Sequence, residues 1–168
     1  GQDVLEGSTG ELIIRGPTLF SGYWSAPETN KEEFRDGWFK MGDLFCRNAD
    51  GSYDFVDRAK YLIKSGGENI YPAEIEAALI SLEGVRDCAV FGIPDAEYGE
   101  ALAAAIEPHP QSGLTERTVQ NFVRKNMAGY KVPKLVTFHD HLPREDSGKI
   151  FKRLLREVYW KNEDAKNN

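Results

Sequence analysis

The chain has 168 residues, a net charge of −6 and 40% apolar side chains, which suffice for the cores of one or two small domains. The acidic balance argues against general nucleic-acid binding, because such binding needs a basic surface that displaces counterions. No apolar run approaches the ~20 residues of a membrane span, and residues 1–10 do not resemble a signal peptide. Neither Cys46 and Cys88 nor the three histidines have metal-binding spacing, so we expect reduced thiols, no metal site and a cytoplasmic protein.

Residues 11–56 predict a small β unit with one helix. Hydrophobic alternation and turn residues define its elements. These are a strand at Glu11–Arg15, a helix at Pro27–Phe34 and a strand at Ser52–Val56, with turns at Asp36-Gly37 and Asn48–Gly51. Phe20, Tyr23 and Trp24 form an aromatic cluster whose expected role is packing. The unit has few strands and no element to cover them, so we expect it to be incomplete.

From Arg58 onward, helical and strand patterns mix and predict a compact α+β domain of about 100 residues. The predicted elements are helix Pro72–Leu82, strand Val85–Ile93 ended by Pro94-Asp95, strand Glu100–Glu107, a helix from its cap Thr115 through Met127, strand Lys134–His139 and helix Ile150–Trp160. The pattern of the last helix places two sets of side chains, with Ile150, Leu154, Leu155 and Val158 inward and Lys152, Arg153 and Arg156 outward. We expect a short sheet flanked by helices.

The stretch Asp57–Glu76 carries most of the candidate chemistry. Glycine has no Cβ, so Gly66-Gly67 allows a positive φ or a close approach of the backbone to a ligand. Asn69 supplies an uncharged donor and acceptor, and Pro72 opens a helix whose first turn is acidic. A polar loop between a strand and a helix explains the same composition.

Three segments together resemble the acyl-adenylate-forming enzymes, which include acyl-CoA synthetases, adenylation domains of peptide synthetases and beetle luciferases. Asp57–Glu76 resembles their hinge region, Phe39–Leu44 their TGD-leucine motif and Leu142–Lys149 their C-terminal PR-x-x-x-GK motif. Gly10-Glu11-Leu12, Gly16 and Gly22-Tyr23-Trp24 are also similar to the family. The matches follow the family order and cover most of residues 10–155.

The resemblance implies a division of the chain at a hinge. Residues 1–57 would end a large N-terminal adenylation domain, 58–60 form the hinge, 61–160 the C-terminal lid domain and 161–168 a frayed tail. The phosphate-gripping loop, the magnesium-binding glutamate and the acyl pocket of the family are not in this sequence. We therefore expect a C-terminal fragment that needs its N-terminal domain as a partner and is nearly inactive alone.

The resemblance also implies a nucleotide site. Asp43 matches the aspartate that accepts hydrogen bonds from ribose hydroxyls, and an aspartate that caps a turn is the alternative. Arg58 matches a position at the nucleotide, with Phe55 packing close by. Lys64 and Asn69 match positions that reach the nucleotide in related CoA ligases, and Asn69 stands where arginine or glutamine is frequent.

Three further positions match the moving parts of the family. Lys60 matches the hinge residue, which absorbs a change of φ and ψ and need not touch substrate. Gly66 and Gly67 match the loop that lines the pantetheine tunnel of CoA after the C-terminal domain rotates.

Lys149 is the predicted catalytic residue. Its cation would bridge the substrate carboxylate and the α-phosphate of ATP during adenylation. A solvated lysine before a helix is the alternative. Lys152, Arg153 and Arg156 would meet the phosphates of CoA or form a solvated helix face.

The predicted function is that of an AMP-forming acyl-CoA synthetase. Its substrates would be ATP, with Mg²⁺ held by residues outside this chain, coenzyme A, and a carboxylic acid. The run IKSGGENIYPAEIE, followed by Phe91–Asp95, resembles the branch that acts on fatty and aromatic acids. The alternatives are an adenylation domain that serves a carrier protein and a non-catalytic nucleotide-binding or interaction module.

Overall fold

The structure is a computed structural model that describes residues 3–164, with side chains described through Lys161. The chain divides between Lys60 and Tyr61 into two compact units. Helices and sheets mix along the chain, so the predicted α+β class is confirmed. Among residues 3–164, no helix combines the length and the apolar character needed to cross a bilayer.

The first unit is a four-stranded antiparallel sheet with one short helix. Its elements are β1 (Thr9–Ile14), α1 (Pro27–Glu33), β2 (Phe34–Arg35), β3 (Trp38–Arg47) and β4 (Tyr53–Arg58). Strand β3 is the centre of the sheet and pairs with the other three strands. Asp36 and Gly37 both have positive φ in the turn between β2 and β3, which is the backbone that a tight hairpin requires.

Aromatic side chains form the small core of this first sheet. The rings of Phe20, Tyr23, Phe34 and Phe39 meet with centroid distances of 4.8–6.3 Å. Phe39 is the buried centre of the cluster at 8% exposure, whereas Trp24 is 95% exposed. The predicted packing role therefore holds for Phe20 and Tyr23 but is wrong for Trp24.

The second unit is a five-stranded sheet with three helices. Its elements are β5 (Ile63–Ser65), β6 (Glu68–Ile70), α2 (Pro72–Ile80), β7 (Val85–Asp95), β8 (Gly99–Pro108), α3 (Glu116–Asn126), β9 (Leu135–Phe138) and α4 (Lys152–Asp164). Strand β8 pairs antiparallel with β7 along its whole length and parallel with β9. At its first residue, Gly99, it also pairs with Ser65 of β5.

Helices cover both faces of this second sheet. One core contains Leu79 of α2 and Val119 of α3, packed with Ile106 of β8. The other core contains Ala103 of β8, with Leu155 of α4 packed against it. A strand that is buried on both faces reads as a continuous apolar run, which explains the sequence EALAAAIE of β8.

Helix α3 begins as predicted. The Thr115 Oγ1 accepts a hydrogen bond from the Thr118 N–H at 3.2 Å, so threonine is the N-cap. Val119 and Val123 are fully buried on its inner face.

Strand β7 is longer than predicted. It continues past Ile93 through Pro94, which pairs with Glu100 in the register of the sheet. In the described sheet β7 is an edge strand, and an edge strand tolerates proline because one side needs no backbone donor.

The predicted inner face of helix α4 is partly wrong. Leu155 and Tyr159 pack against the second core, but Leu154 is 46% and Val158 60% exposed. The helix also continues to Asp164, so the predicted frayed tail begins inside a helix, and residues 165–168 lie outside the described chain.

Two of the three cations predicted to face outward on α4 instead make ion pairs across the unit. Lys152 Nζ lies 2.6 Å from Glu76 Oε1, and Arg156 Nη2 lies 3.2 Å from Glu100 Oε1. The long aliphatic stems of lysine and arginine can lie along apolar surface while the charged group reaches a carboxylate on another element. Hydrophobic periodicity within one helix does not predict such pairs. Arg153 faces outward as predicted, with its side chain 70% exposed.

Both cysteines are free thiols. Cys46 is half-buried in β3, and Cys88 is buried in β7. Burial, with smaller contributions from the carboxylates of Glu76 and Asp87, raises the pKa of Cys88 to about 12. Cys88 is therefore an inert core residue.

Candidate functional site

Asp43 and Arg58 form a charged pair in the first unit. They are register partners on β3 and β4, and Arg58 Nε lies 2.7 Å from Asp43 Oδ1. The Asp43 side chain is only 14% exposed. The ion pair lacks hydrogen-bond geometry, and no group in residues 3–164 donates a hydrogen bond to the buried Asp43 Oδ1. The Asp43 carboxylate thus has a buried oxygen that lies beside a cation and accepts no hydrogen bond within the described residues.

An exposed aromatic ring, Phe55, lies on the same strand as Arg58, three residues before it. Phe55 is 55% exposed and meets Phe45 edge to face at 5.6 Å between ring centroids. One edge of the ring is thereby fixed while its surface stays accessible. The assignment of Phe55 to a nucleotide remains a prediction.

Lys60 lies in a single 3₁₀ turn, Ala59–Tyr61. The division of the chain falls directly after it. Its role as a hinge remains a prediction, because one structure contains one arrangement of the backbone.

Gly66 and Gly67 form the two-residue turn of a β-hairpin that sequence reasoning missed. Their φ angles are +57° and +87°, as a type I′ turn requires. The hairpin joins β5 to β6 and pairs Lys64 with Asn69 directly across the strands. Glycine pairs are a known signal for such turns, but the two flanking strands have only three residues each.

The turn borders a surface cavity of about 380 Å³. Its lining includes Gly66, Tyr98, Tyr130, Leu102 and Lys134. The Gly66 N–H donates to the Tyr98 carbonyl oxygen at 3.0 Å, which holds the turn against the cavity wall. The volume lies within the range of small-molecule pockets, and the lining mixes aromatic, aliphatic and charged side chains.

Lys134 places a cation at the cavity, and this cation is paired with the carboxylate of Asp95. Its Nζ donates to Asp95 Oδ2 at 2.6 Å, and this hydrogen bond lowers the pKa of the Asp95 carboxyl. Backbone N–H groups of Tyr98 and Glu97 lower it further. The same pair raises the pKa of Lys134, which remains a cation throughout the neutral range.

Lys149 lies exposed on a loop that the second unit closes with backbone bonds. Arg144 and Ile150 form an isolated antiparallel bridge at the base of the loop. Glu145 N–H donates to the Lys149 carbonyl oxygen at 2.8 Å. The side chain is therefore accessible, while the backbone that carries it is fixed.

Sequence reasoning missed a cluster of charges at the base of this loop. The pairing of β7 with β8 brings Asp87 and Glu107 together, and Arg144 of the PR-x-x-x-GK motif contacts both carboxylates. No sequence signal indicates this cluster, because strand register creates it. Within the described residues, no group of three or more His, Cys, Asp or Glu side chains is placed to hold a metal ion.

Comparison with known proteins decides the family. The AMP-binding enzyme C-terminal domain family matches residues 74–149. The chain is similar to the C-terminal part of the acyl-adenylate-forming enzymes. The family predicted from the three motifs is thereby confirmed, and its C-terminal domain covers the loop that carries Lys149.

Relatives of this chain are named as CoA ligases. Feruloyl-CoA synthase from Amycolatopsis is 46% identical over 156 residues, which cover 93% of this chain and 32% of that enzyme. Long-chain-fatty-acid–CoA ligase FadD13 from Mycobacterium tuberculosis is 41% identical over 156 residues, 93% of this chain and 31% of the ligase. The chain thus spans about a third of the length of the curated relatives it matches.

A solved structure of an adenylate-forming enzyme has the same fold. ATP-bound MatB from Rhodopseudomonas palustris is 38% identical, with a TM-score of 0.87 over 95% of this chain and 32% of that protein.

Proposed function

We propose that the chain is the C-terminal part of an ATP-dependent, AMP-forming acyl-CoA synthetase. The observation that carries the proposal is the buried Asp43 Oδ1, which has a cation beside it and no hydrogen-bond donor in the described chain. A carboxylate accepts hydrogen bonds through both of its oxygens, and we propose a ribose hydroxyl of ATP as a donor to Asp43. Nucleotide-bearing relatives such as ATP-bound MatB support this choice of ligand.

The remaining nucleotide contacts follow from the residues near this pair and from the hairpin. Arg58 supplies charge to ribose or phosphate oxygens, and Phe55 offers an exposed ring. Lys64 and Asn69, paired across the hairpin, are the proposed contacts from the second unit. ATP brings Mg²⁺, for which we propose ligands outside this chain.

Lys149 is the proposed catalytic residue of adenylation. A carboxylate attacks the α-phosphorus of ATP, and both reactants are negative. A cation at ~4 Å with an effective dielectric near 20 contributes on the order of 4 kcal/mol, or roughly a thousandfold in rate. Its side chain is exposed on the loop and can therefore meet a ligand that lies outside the second unit.

Gly66 and Gly67 are the proposed contacts for CoA in the second half-reaction. The thiol attacks the acyl carbonyl of the adenylate, and AMP leaves. The type I′ turn presents backbone without side chains beside the 380 Å³ cavity, which is large enough for part of CoA. In the described chain, no atom beyond Gly67 and its two chain neighbours lies within 4 Å of the position of a Cβ at Gly67.

We propose a fatty or aromatic acid as the substrate. The relatives act on feruloyl and long-chain fatty acyl groups, as their names state. A carrier protein in place of CoA, or a non-catalytic nucleotide-binding module, remains the alternative that the experiment must exclude.

The test measures each half-reaction in the complete enzyme of which we propose this chain to be part. Adenylation is followed as carboxylate-dependent ATP–pyrophosphate exchange, and thioester formation as product from synthetic acyl-adenylate and CoA. We expect Lys149→Ala to lose roughly a thousandfold in exchange and to keep thioester formation. We expect Gly67→Leu to show the opposite pattern.

A matched variant separates bulk from backbone strain at Gly67. Gly67→Ala has the same unfavourable positive φ as Gly67→Leu but adds only one carbon, so it should retain most thioester formation. Full exchange in Lys149→Ala would remove that residue from the mechanism. Absence of exchange with every acid would favour the binding module.

A further inference from the structure

The loop that carries Lys149 is tied to the sheet by a charged network that the proposed reaction does not yet use. Arg144 begins the loop, with its side chain 41% exposed. Its Nη2 donates to Asp87 Oδ2 at 2.5 Å, and its Nη1 donates to the Gly148 carbonyl oxygen at 3.0 Å. One planar guanidinium therefore joins strand β7 to the peptide group that precedes Lys149.

Two carboxylates on adjacent strands supply the negative side of this network. Asp87 and Glu107 are register partners, and like charges directly opposite each other destabilise a strand pair. Glu107 is 3% exposed and accepts from the Leu142 N–H at 2.9 Å. Arg86 Nη1 lies 3.3 Å and Arg144 Nη2 3.9 Å from its carboxylate oxygens. The sheet thus presents a negative site that holds Arg144 in place.

Hydrogen bonds within the loop connect Arg144 to the backbone of Lys149. Gly148 N–H donates to the Glu145 carbonyl oxygen, and Glu145 N–H donates to the Lys149 carbonyl oxygen, both at 2.8 Å. Gly148 has a φ of +83°, which glycine adopts without strain. The bond from Arg144 fixes the carbonyl of that glycine, and so fixes the direction in which the chain enters Lys149.

We propose that Arg144, held by Asp87 and Glu107, is a positioning residue that orients Lys149 for adenylation. The inference rests on the function proposed above, in which Lys149 acts in adenylation and not in thioester formation. Arginine makes two directed bonds from one rigid plane, whereas lysine carries a point charge on a flexible stem. Charge alone therefore does not replace Arg144.

The test measures both half-reactions in the complete enzyme with four variants. We expect Arg144→Lys to lower kcat of ATP–pyrophosphate exchange by about 10- to 100-fold, since small misplacements of reacting groups cost on this scale. The KM for ATP and the thioester rate from synthetic acyl-adenylate should stay unchanged. Asp87→Asn should lower exchange less, because it leaves Glu107 beside the arginine.

Arg86→Gln is the matched control, because Arg86 contacts the same Glu107 but lies on β7, outside the loop. It should leave both half-reactions unchanged. Lys149→Ala, measured in parallel, separates the two proposals.

Three results would overturn the positioning role. Normal exchange in Arg144→Lys and Asp87→Asn, together with lost exchange in Lys149→Ala, would reject it and leave the proposed function intact. Equal loss of both half-reactions would show that Arg144 only maintains the fold. Full exchange in Lys149→Ala would reject the role of Lys149 and, with it, the reason to position that residue.

Discussion

The two sheets of this chain differ in how much of their surface helices cover. The sheet of the second unit has helices on both faces, and its central strand β8 is buried from Ala101 to Glu107. The sheet of the first unit has one short helix, and Tyr53 and Phe55 of its strand β4 are each more than half exposed. The first sheet nevertheless holds the buried, unsatisfied carboxylate oxygen of Asp43.

The two units differ in where their candidate chemistry lies relative to the sheet. In the second unit, apolar burial accounts for the fold, and the candidate chemistry lies on its loops and turns, at Gly66-Gly67 and Lys149. In the first unit, the candidate chemistry lies within the sheet itself, at Asp43 and Arg58. We therefore expect core substitutions to matter most in the second unit and ligand effects to be strong in the first.

The largest expected effect on stability comes from Leu79, which is fully buried between α2 and the sheet. Leu79→Ala should lower the free energy of unfolding of the second unit by about 2–5 kcal/mol, from lost transfer energy and a cavity. Urea denaturation followed by circular dichroism measures the change.

Ile80 on the same helix is the matched control. It is 49% exposed, so Ile80→Ala should cost far less than Leu79→Ala. Equal losses at the two positions would show that α2 does not pack on the sheet as described.

An intermediate effect on Tm, which depends on pH, is expected from substitution of Asp95. Hydrogen bonds from Lys134 and from backbone N–H groups lower the pKa of this carboxyl in the folded state. Its stabilising contribution is therefore complete above the unfolded pKa of about 3.9 and is lost as the pH falls through the lower folded pKa. Asp95→Asn should lower Tm at pH 7, and the difference from the natural chain should shrink towards pH 3.

Asp50 in the first unit provides the comparison for this titration. Its pKa is also lowered, by hydrogen bonds with Ser52, but in an exposed turn. Asp50→Asn should leave the pH dependence of the second unit unaltered. A constant Tm difference for Asp95→Asn across the whole pH range would remove the charge of Asp95 from the explanation.

The smallest effect is expected at Tyr53, which is 54% exposed on the open sheet. Tyr53→Ala should change the free energy of unfolding of the first unit by less than about 1 kcal/mol, as measured by tryptophan fluorescence in urea. A loss of unfolding free energy comparable to that of Leu79→Ala would show that this face of the first sheet is covered. The two sheets would then not differ in exposure as described.

Local patterns predicted much of this fold from the sequence. The N-cap Thr115 and the buried stripe of Val119 and Val123 follow from side-chain chemistry within one helix. The alanine-rich strand β8 was predicted as well, even though alanine favours helices.

Features that depend on distant partners were not predictable. The faces of α4 were partly wrong because Lys152 and Arg156 pair with Glu76 and Glu100, more than fifty residues away. The opposition of Asp87 and Glu107 depends on the register of two strands, which no local pattern fixes.

The motifs indicated which residues are candidates for the site, but not which contacts these residues make in the folded chain. Lys149 and Arg144 both lie in the PR-x-x-x-GK segment, and only the folded chain shows that the arginine holds the peptide before the lysine. The open acceptor of Asp43 is likewise a property of packing, since the sequence shows a carboxylate but not its burial.

The unequal cysteines give the chain a natural attachment point for a spectroscopic probe. Alkylating reagents react with the thiolate, and a pKa of about 12 leaves Cys88 almost entirely protonated at neutral pH. Cys46, on the strand that also carries Asp43, is therefore the thiol that a maleimide dye should label first. The dye would test the proposed nucleotide binding to the first unit without removal of either cysteine.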